Sequence, residues 1–448
     1  MKKNNNNKKA KLKLCAKQQG ITLISLVVTI VVLLILAGVT ISAVFSDGGI
    51  MNKAKDAENK MNEGIEKDKN NINELANIIK KYTDDNTTTP KITDSSLKSD
   101  DRTNTDSKTV IAKDEKGNQV VVPGGFKIAD DSGDTVQKGV VIEDKDGNQF
   151  VWIPVSNINA DGSDKIIKDD GSKVEITLGR YTFATTTPGT PTLVQKGSEY
   201  VEVTAANVAD GTVNTDYLIG SYYYELSDKN RLSNEKEDAT GTNTTAKDLG
   251  TFINRTKVNR GFYIARYEAS YGSGYNSSGT DTATKFGNAK PLSKVSTANS
   301  TSSMDYTSGT LWNFINQPQA AMVSKNMYDG NNYVESDLVN SYAWDTAIVY
   351  IQAMENTNYA NANRDTNGNT TLKNTGETGD KVCNIFDMAA NLEEWITEYS
   401  TETRSSVACP CSSMGGFYLS NRCASTHDNS PAPYSSSYVS FRSLLYIK

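Results

Sequence analysis

Hydrophobic residues are spread unevenly along the chain, and the longest apolar run lies near the N-terminus. Residues 21–45, ITLISLVVTIVVLLILAGVTISAVF, contain no charged side chain. This uncharged run of 25 residues is long enough to cross a bilayer as one helix. Apolar residues then recur at steps of three and four up to residue 82 on a Lys- and Glu-rich background, which predicts an amphipathic helix. We therefore expect a transmembrane helix and stalk over 21–82.

The polar pattern after the stalk predicts a linker, paired strands and an insertion. Residues 83–108 carry almost no large apolar side chain, which predicts a flexible linker. A repeated motif follows, AKDEKGNQVVVP at 112–123 and IEDKDGNQFVWIP at 142–154. In each copy a Gly-Asn turn leads into a β-branched or aromatic run, so we expect a β-hairpin region over 109–156. Residues 157–250 are polar with scattered strand-like segments and are predicted to be an insertion.

The remaining apolar segments alternate between strand and helix patterns. FVWIPV at 150–155 and GFYIARYEAS at 261–270 are typical of strands, and YAWDTAIVYIQ at 342–352 has helical spacing. NIFDMAANLEEW at 384–395 reads as a compact loop that ends at a tryptophan. The pattern therefore predicts an α+β, loop-rich head over 251–448.

Charge and cysteine content narrow the class of protein. The net charge is -6, which argues against nucleic acid as a partner. Residues 1–20 nevertheless contain seven Lys and no acid, so this leader should stay cytoplasmic and the head should lie outside the cell. The five Cys are too few for a disulfide framework. The sequence leaves two alternatives open: two disulfide bridges or four free thiols at Cys383, Cys409, Cys411 and Cys423.

The N-terminus resembles that of a type IV prepilin. A short Lys-rich leader is followed by KQQG and then by ITLIS, which opens the apolar helix. The resemblance implies cleavage after Gly20, with Ile21 as the new N-terminus, and other pilin-like subunits as partners. Ser25 stands where the family usually has the Glu that helps to register subunits in a filament. A pilin-like protein held at the bacterial membrane is favoured, and a minor pilin-like structural subunit is the alternative.

The head resembles the formylglycine-generating-enzyme superfamily, which has a C-type-lectin-like fold. NIFDMAANLEEW is similar to the family motif G-L-Y-D-M-A-G-N-x-W-E-W, and GGFY with the later SFR is similar to G-G-S-x and G-F-R. Ala390, Glu393 and Ser440 depart from the family pattern. In relatives the positions of Asp387 and Glu394, with main-chain carbonyls at Ala390 and Leu392, hold a structural Ca²⁺. The resemblance therefore implies a calcium site, and oxygen ligands of this kind suit that ion.

This chain lacks the residues that the enzymes of that superfamily use for catalysis. Ser420 and Ser425 stand where the copper-dependent members have two cysteines, and hydroxyls do not replace thiolates as ligands of Cu(I). His427 is the single histidine, so the histidine cluster of iron-dependent relatives cannot form. We therefore expect a protein that is not an enzyme, with an active formylglycine-generating-type oxidoreductase as a further alternative.

The C-terminal segment has an unusual composition. Lys, Glu, Gln, Met and Trp are all absent from 415–447, and these five residue types have no codon that ends in a pyrimidine. The absence resembles that in variable regions that a retroelement diversifies by replacing adenines in AAC and AAT codons. A Ser- and Tyr-rich loop that lacks these types by chance is the alternative. The variable loops would span 415–440, and their predicted contact residues are Tyr418, Ser420, Asn421, Cys423, Ser425, His427, Asp428 and Asn429.

Together these patterns predict a surface protein with a membrane helix at 21–45 and an extracellular binding head. Tyr, Ser, Asn and Arg are common in adaptable binding surfaces. The expected partner is an extracellular protein or glycan, and no cofactor is expected beyond structural Ca²⁺.

Overall fold

The computed structural model describes residues 89–156, 164–185, 188–196, 223–225, 249–362, 371–400, 403–409, 411–431 and 433–448. All of them belong to one compact unit, 88–448. The predicted leader, transmembrane helix and stalk lie outside the described residues. Within the described ranges no helix is long and apolar enough to cross a membrane.

The described part has a mixed α/β fold with several small sheets and few helices. Its α-helices are α1 (Ser95–Lys98), α2 (Leu249–Asn259), α3 (Thr282–Phe286), α4 (Gln317–Asn326) and α5 (Ser341–Met354). Its strands are β1 (Val110–Lys113), β2 (Gln119–Val122), β3 (Phe126–Ile128), β4 (Val141–Asp144), β5 (Gln149–Pro154), β6 (Ile166–Ile167), β7 (Lys173–Val174), β8 (Gly179–Phe183), β9 (Pro191–Lys196), β10 (Tyr223–Glu225), β11 (Gly261–Ala265), β12 (Ser270–Ser273), β13 (Lys290–Leu292), β14 (Val334–Leu338), β15 (Lys381–Val382), β16 (Ile385–Phe386), β17 (Glu393–Ser400), β18 (Thr403–Arg404), β19 (Val407–Ala408), β20 (Cys411–Met414), β21 (His427–Ser430), β22 (Val439–Phe441) and β23 (Ser443–Ile447).

The largest sheet has six strands in the order β14-β23-β11-β5-β4-β3. Strands β5 and β11 pair antiparallel at its centre, and the cross-strand partners Trp152 and Tyr263 are fully buried with ring centroids 5.0 Å apart. The C-terminal strand β23 pairs with both β11 and β14. The last residues of the chain are therefore part of the core.

A second sheet carries the C-terminal loops. Its path is β10-β17-β20-β21, and β22 runs parallel to β17. Helix α5 packs beside it, is capped by the side chain of Asn340 at the amide of Ala343 (2.8 Å), and is buried along nearly its whole length. The apolar run of this helix therefore forms a central element rather than a surface helix with one apolar face.

Each copy of the repeated motif forms an antiparallel hairpin, β1–β2 and β4–β5. In the second copy, Oδ1 of Asp144 accepts the amides of Asp146 (2.9 Å) and Asn148 (2.8 Å). The side-chain carbonyl of Asn148 then accepts the amide of Ser293 at 2.9 Å. Asn118 does the same for the amide of Ile167 at 2.8 Å. The Asp and Asn of the repeat therefore close a turn and hold a neighbouring segment in place.

Of the flexible linker predicted over 83–108, residues 89–108 lie in the described part, and some of their side chains are buried. Ile92 and Leu97 are buried, at 1% and 2% exposure. The guanidinium of Arg102 donates to the carbonyls of Phe126 (3.1 Å) and Val122 (3.3 Å). Two apolar side chains and one arginine are enough to order this segment because the head supplies the surface that they cover.

Candidate functional site

The segment 384–395 folds as a tight loop around a buried carboxylate. Asn384, Asp387 and Asn391 have φ angles of 62°, 66° and 64°, a region that Asn and Asp enter more readily than other side chains. The Asn391 amide donates to one oxygen of Glu268 (2.6 Å), and the backbone N–H of Leu392 donates to the other (2.9 Å). Glu268, which follows β11, therefore fixes the turn that leads into β17.

A buried ion pair joins this loop to the C-terminus. Arg442 Nε lies 2.5 Å from Glu394 Oε2, a second guanidinium nitrogen contacts Glu394 Oε1, and both side chains are fully inaccessible. The same guanidinium donates to the carbonyls of Ala265 and Phe386, each at 3.0 Å. Burial lowers the pKa of Arg442, but the adjacent Glu394 outweighs it and the net pKa is raised. The arginine therefore stays charged and ties three segments together.

The two carboxylates predicted to bind calcium have other partners. Asp387 accepts the amide of Gly376 (2.7 Å) and the hydroxyl of Thr378 (2.5 Å), and burial raises its pKa to about 7. Glu394 is bound by Arg442, as described above. No group of three or more His, Cys, Asp or Glu side chains suited to a metal ion occurs in the described part of the chain. These carboxylates do not form an open ligand set, so we derive no role for a metal; calcium at Asp387, Ala390, Leu392 and Glu394 stays a prediction.

The C-terminal loop begins with two glycines whose backbone lies against the 384–395 loop. Gly415 has φ 97°, and a Cβ there would lie 2.7 Å from the carbonyl oxygen of Met388. A Cβ at Gly416 would lie 2.6 Å from the carbonyl oxygen of Ala389. Only glycine allows this approach without a backbone shift.

The far end of the same loop is also fixed. The indole of Trp344 donates to the carbonyl of Ala424 at 2.9 Å. The Ser425 amide and hydroxyl both donate to the carbonyl of Ala360, at 3.1 Å and 2.8 Å. Loop 415–426 is therefore anchored at both ends on buried groups.

The structure divides the eight predicted contact residues by exposure. Asn421 is exposed, and five are half-buried: Ser420, Cys423, Ser425, His427 and Asp428. Tyr418 and Asn429 are 5% and 2% exposed, so both side chains are buried in this conformation, and their contact with a ligand stays a prediction. Tyr418 packs against Leu311 and Leu392, and Asn429 accepts the hydroxyl of Ser412 at 2.8 Å.

Other residues of the C-terminal loops reach solvent instead. Leu419 and Tyr434 are 51% and 39% exposed. Three further side chains of the C-terminal segment, Phe417, Arg422 and Tyr438, are half-buried. Phe417 and Tyr438 have ring centroids 5.3 Å apart, and the guanidinium of Arg422 lies 5.5 Å from the Phe417 ring. We call this set the loop face: Phe417, Leu419, Asn421, Arg422, Tyr434 and Tyr438.

Ion pairs hold Arg422 of the loop face in place. Arg422 contacts both Glu393 and Asp428, the latter at 2.8 Å, and Arg404 lies 2.6 Å from Asp428. Burial raises the pKa of Asp428, but the two arginines outweigh it and the net pKa is lowered. Glu393, which is 5% exposed, therefore supplies a buried partner for the loop arginine.

The four described cysteines are not joined by disulfides. Cys383, Cys409 and Cys411 are buried, and Cys423 is half-buried. Of the two alternatives left open by the sequence, the structure has the reduced thiols rather than two bridges. The Ser420 hydroxyl accepts the amide of Arg422 at 3.0 Å, which is a structural role.

Comparison with known proteins does not assign a family. No known family profile matches the chain, and no curated protein matches it. Among solved structures, "Crystal Structure of CarF" is similar with a TM-score of 0.31 and 13% identity, over 42% of this chain and 87% of that chain. "Treponema denticola variable protein 1" is similar with a TM-score of 0.24 and 13% identity, over 42% of this chain and 96% of that one. Likeness at this level establishes neither a family nor a function.

Proposed function

We propose that this chain is a non-catalytic protein of the bacterial cell surface that binds an external protein or glycan through the loop face. The observation that carries the proposal is the contrast within the C-terminal segment. An aliphatic, a small polar and an aromatic side chain face solvent at Leu419, Asn421 and Tyr434, and Arg422 is half-buried beside them in sequence, whereas Gly415 and Arg442 are buried. Aromatic and arginine side chains are enriched in binding interfaces, and rigid support lowers the entropy cost of binding.

Display at the membrane is the second part of the proposal. The uncharged run at 21–45 would anchor the chain, and cleavage after Gly20 would leave Ile21 as the N-terminus. N-terminal sequencing of the chain from bacterial membranes tests the cleavage, and protease treatment of intact cells tests the orientation. An intact residue 1 together with a protease-resistant head would overturn this part.

Diversification of 415–447 is the third part. It predicts a second, near-identical copy of the DNA encoding this segment, differing mainly at adenines, beside a reverse transcriptase gene. Sequencing the flanking DNA decides the question. Without such a copy, the composition of the segment reflects chance or surface selection.

Binding is tested with point substitutions, because deletion of 415–440 would remove β21 and most of β22. The full chain is screened against arrays of glycans and purified surface proteins. For any ligand found, Tyr434→Ser should weaken binding by about tenfold or more, as truncation of an interface hot spot does, and Leu419→Ser should weaken it by a smaller factor. Val295→Ser and Val258→Ser, at 61% and 39% exposure away from the loops, are matched controls and should bind normally. Equal losses at both pairs would contradict the proposal.

A further inference from the structure

The single histidine of the chain lies in a buried cluster of charged groups. His427 is the first residue of β21, where loop 415–426 ends. Its Nε2 lies 3.3 Å from Oε2 of Glu398 on β17, and 25% of the histidine side chain remains accessible while the glutamate is inaccessible. The imidazole therefore reaches solvent at part of its surface, although Nε2 and the glutamate are buried.

A hairpin from the predicted insertion completes the cluster. Strands β8 and β9 pair antiparallel, and Arg180 on β8 forms an ion pair with Glu398. The next amide, of Tyr181, donates to Oδ2 of Asp345 on α5 at 2.8 Å. Asp345 is fully buried, and its Oδ1 has no hydrogen-bond partner among the described residues.

The formal charges of this cluster balance only when it holds a proton. Arg180 supplies one positive charge, whereas Glu398 and Asp345 supply two negative charges if both are ionised. A buried net charge is costly, so one proton, on His427 or on Asp345, stabilises the cluster.

The electrostatics place this proton near neutral pH. Burial lowers the pKa of His427, but the hydrogen bond and charge of Glu398 and the charge of Asp345 outweigh burial, and the net pKa is raised. Burial raises the pKa of Asp345 to about 7. Burial also raises the pKa of Glu398, but Arg180 and His427 outweigh it and the glutamate stays ionised. The adjacent Asp428 is paired with Arg404 and Arg422.

We propose that this cluster is a proton-operated latch that fastens the β8–β9 hairpin to the sheet below the loop face. When the proton is present, Arg180 and the amide of Tyr181 hold the hairpin to Glu398 and Asp345. When the proton leaves, the cluster carries an excess negative charge and the hairpin opens more often. Because His427 directly follows loop 415–426, opening also loosens the loop face; only this last consequence rests on the proposed function.

The direction of the pH dependence follows from linkage. A group whose pKa is raised in the folded state contributes stability below its unfolded pKa and loses it as the pH rises through the folded value. His427 and Asp345 act in this same direction, whereas Glu398 titrates only in acid. The hairpin is therefore held more tightly at pH 6 than at pH 8.

Hydrogen exchange of the full chain, followed by mass spectrometry between pH 5 and 8, tests the latch. After correction for the intrinsic exchange rate, peptides covering 178–185 should open more as the pH rises, by up to about tenfold for each pH unit, the value for loss of one proton. This rise should level off once the pH exceeds the folded pKa of the titrating group, which is about 7 for Asp345. Asp345→Asn should remove this slope and keep the hairpin closed at pH 8, because the charges then balance without a proton. His427→Gln should keep a slope, because Asp345 can still hold the proton.

Thr346→Val is the matched control. The Thr346 hydroxyl accepts the amide of Gly179 at 3.2 Å, so its loss should increase opening by the same factor at every pH and leave the slope unchanged. A slope that persists in Asp345→Asn, or no slope in the natural chain, would overturn the latch. Since no ligand is present in this experiment, its outcome is independent of whether the loop face binds anything.

Discussion

Replacing Arg442 by Met removes the group that ties the C-terminus to the 384–395 loop. Glu394 is then left fully buried without its counter-charge, and loss of one partner of such a pair typically costs about 3–5 kcal/mol. The carbonyls of Ala265 and Phe386 also lose their donors, at about 1 kcal/mol each. We therefore expect the free energy of unfolding to fall by at least about 3 kcal/mol.

Urea unfolding of the full chain measures this loss. The fluorescence of the four buried tryptophans, Trp152, Trp312, Trp344 and Trp395, reports on the described unit. Glu394→Leu combined with Arg442→Met should cost less than the sum of the two single changes by at least about 2 kcal/mol, because an apolar pair leaves no buried charge. Lys138→Ala, which removes an exposed ion pair with Asp134, should leave the midpoint unchanged. Additive single and double variants, or a loss below about 1 kcal/mol for Arg442→Met, would refute the reasoning.

Three further outcomes are expected. Asn148→Ala, which removes the buried acceptor of the Ser293 amide, should cost about 1–3 kcal/mol in urea unfolding, and an unchanged midpoint would contradict the role of the repeated turn. Gly415→Ala should destabilise more than Gly117→Ala, because both have positive φ but only Gly415 has a backbone atom within 3 Å of the added Cβ; equal losses would exclude the steric argument. In the folded chain, alkylation mapped by peptide mass should reach half-buried Cys423 before buried Cys383, and a disulfide-linked peptide would contradict free thiols.

The regular elements of the head could be predicted because their apolar patterns are long. FVWIPV and GFYIARYEAS contain β5 and β11 for most of their lengths, and YAWDTAIVYIQ lies within α5. The second strand is shorter than its pattern because Arg266 leaves the sheet to bind Asp131 (2.8 Å) and the carbonyl of Asn384 (3.2 Å). An ion pair between distant segments cannot be read from alternation alone.

The exposure of individual side chains in the C-terminal loops was not predictable from composition. The side of a strand on which a residue lies depends on pairing register. The pairing of β21 with β20 sets Asn429 opposite Ser412, which buries a residue that looks like a typical contact. Leu419, Arg422 and Tyr434 were missed because exposure in a loop is decided by its anchors, here Gly415 and Ala424. The partners of His427 were missed because they come from three distant segments.

A ligand bound at the loop face should leave a hydrogen-exchange footprint there. The full chain is compared with and without a ligand found in the screen. We expect slower exchange in peptides covering 415–422 and 433–438, with little change around the separate cleft of about 620 Å³ lined by Tyr328, Lys290 and Asp144. Protection confined to that cleft, with none in the C-terminal loops, would contradict binding at the loop face.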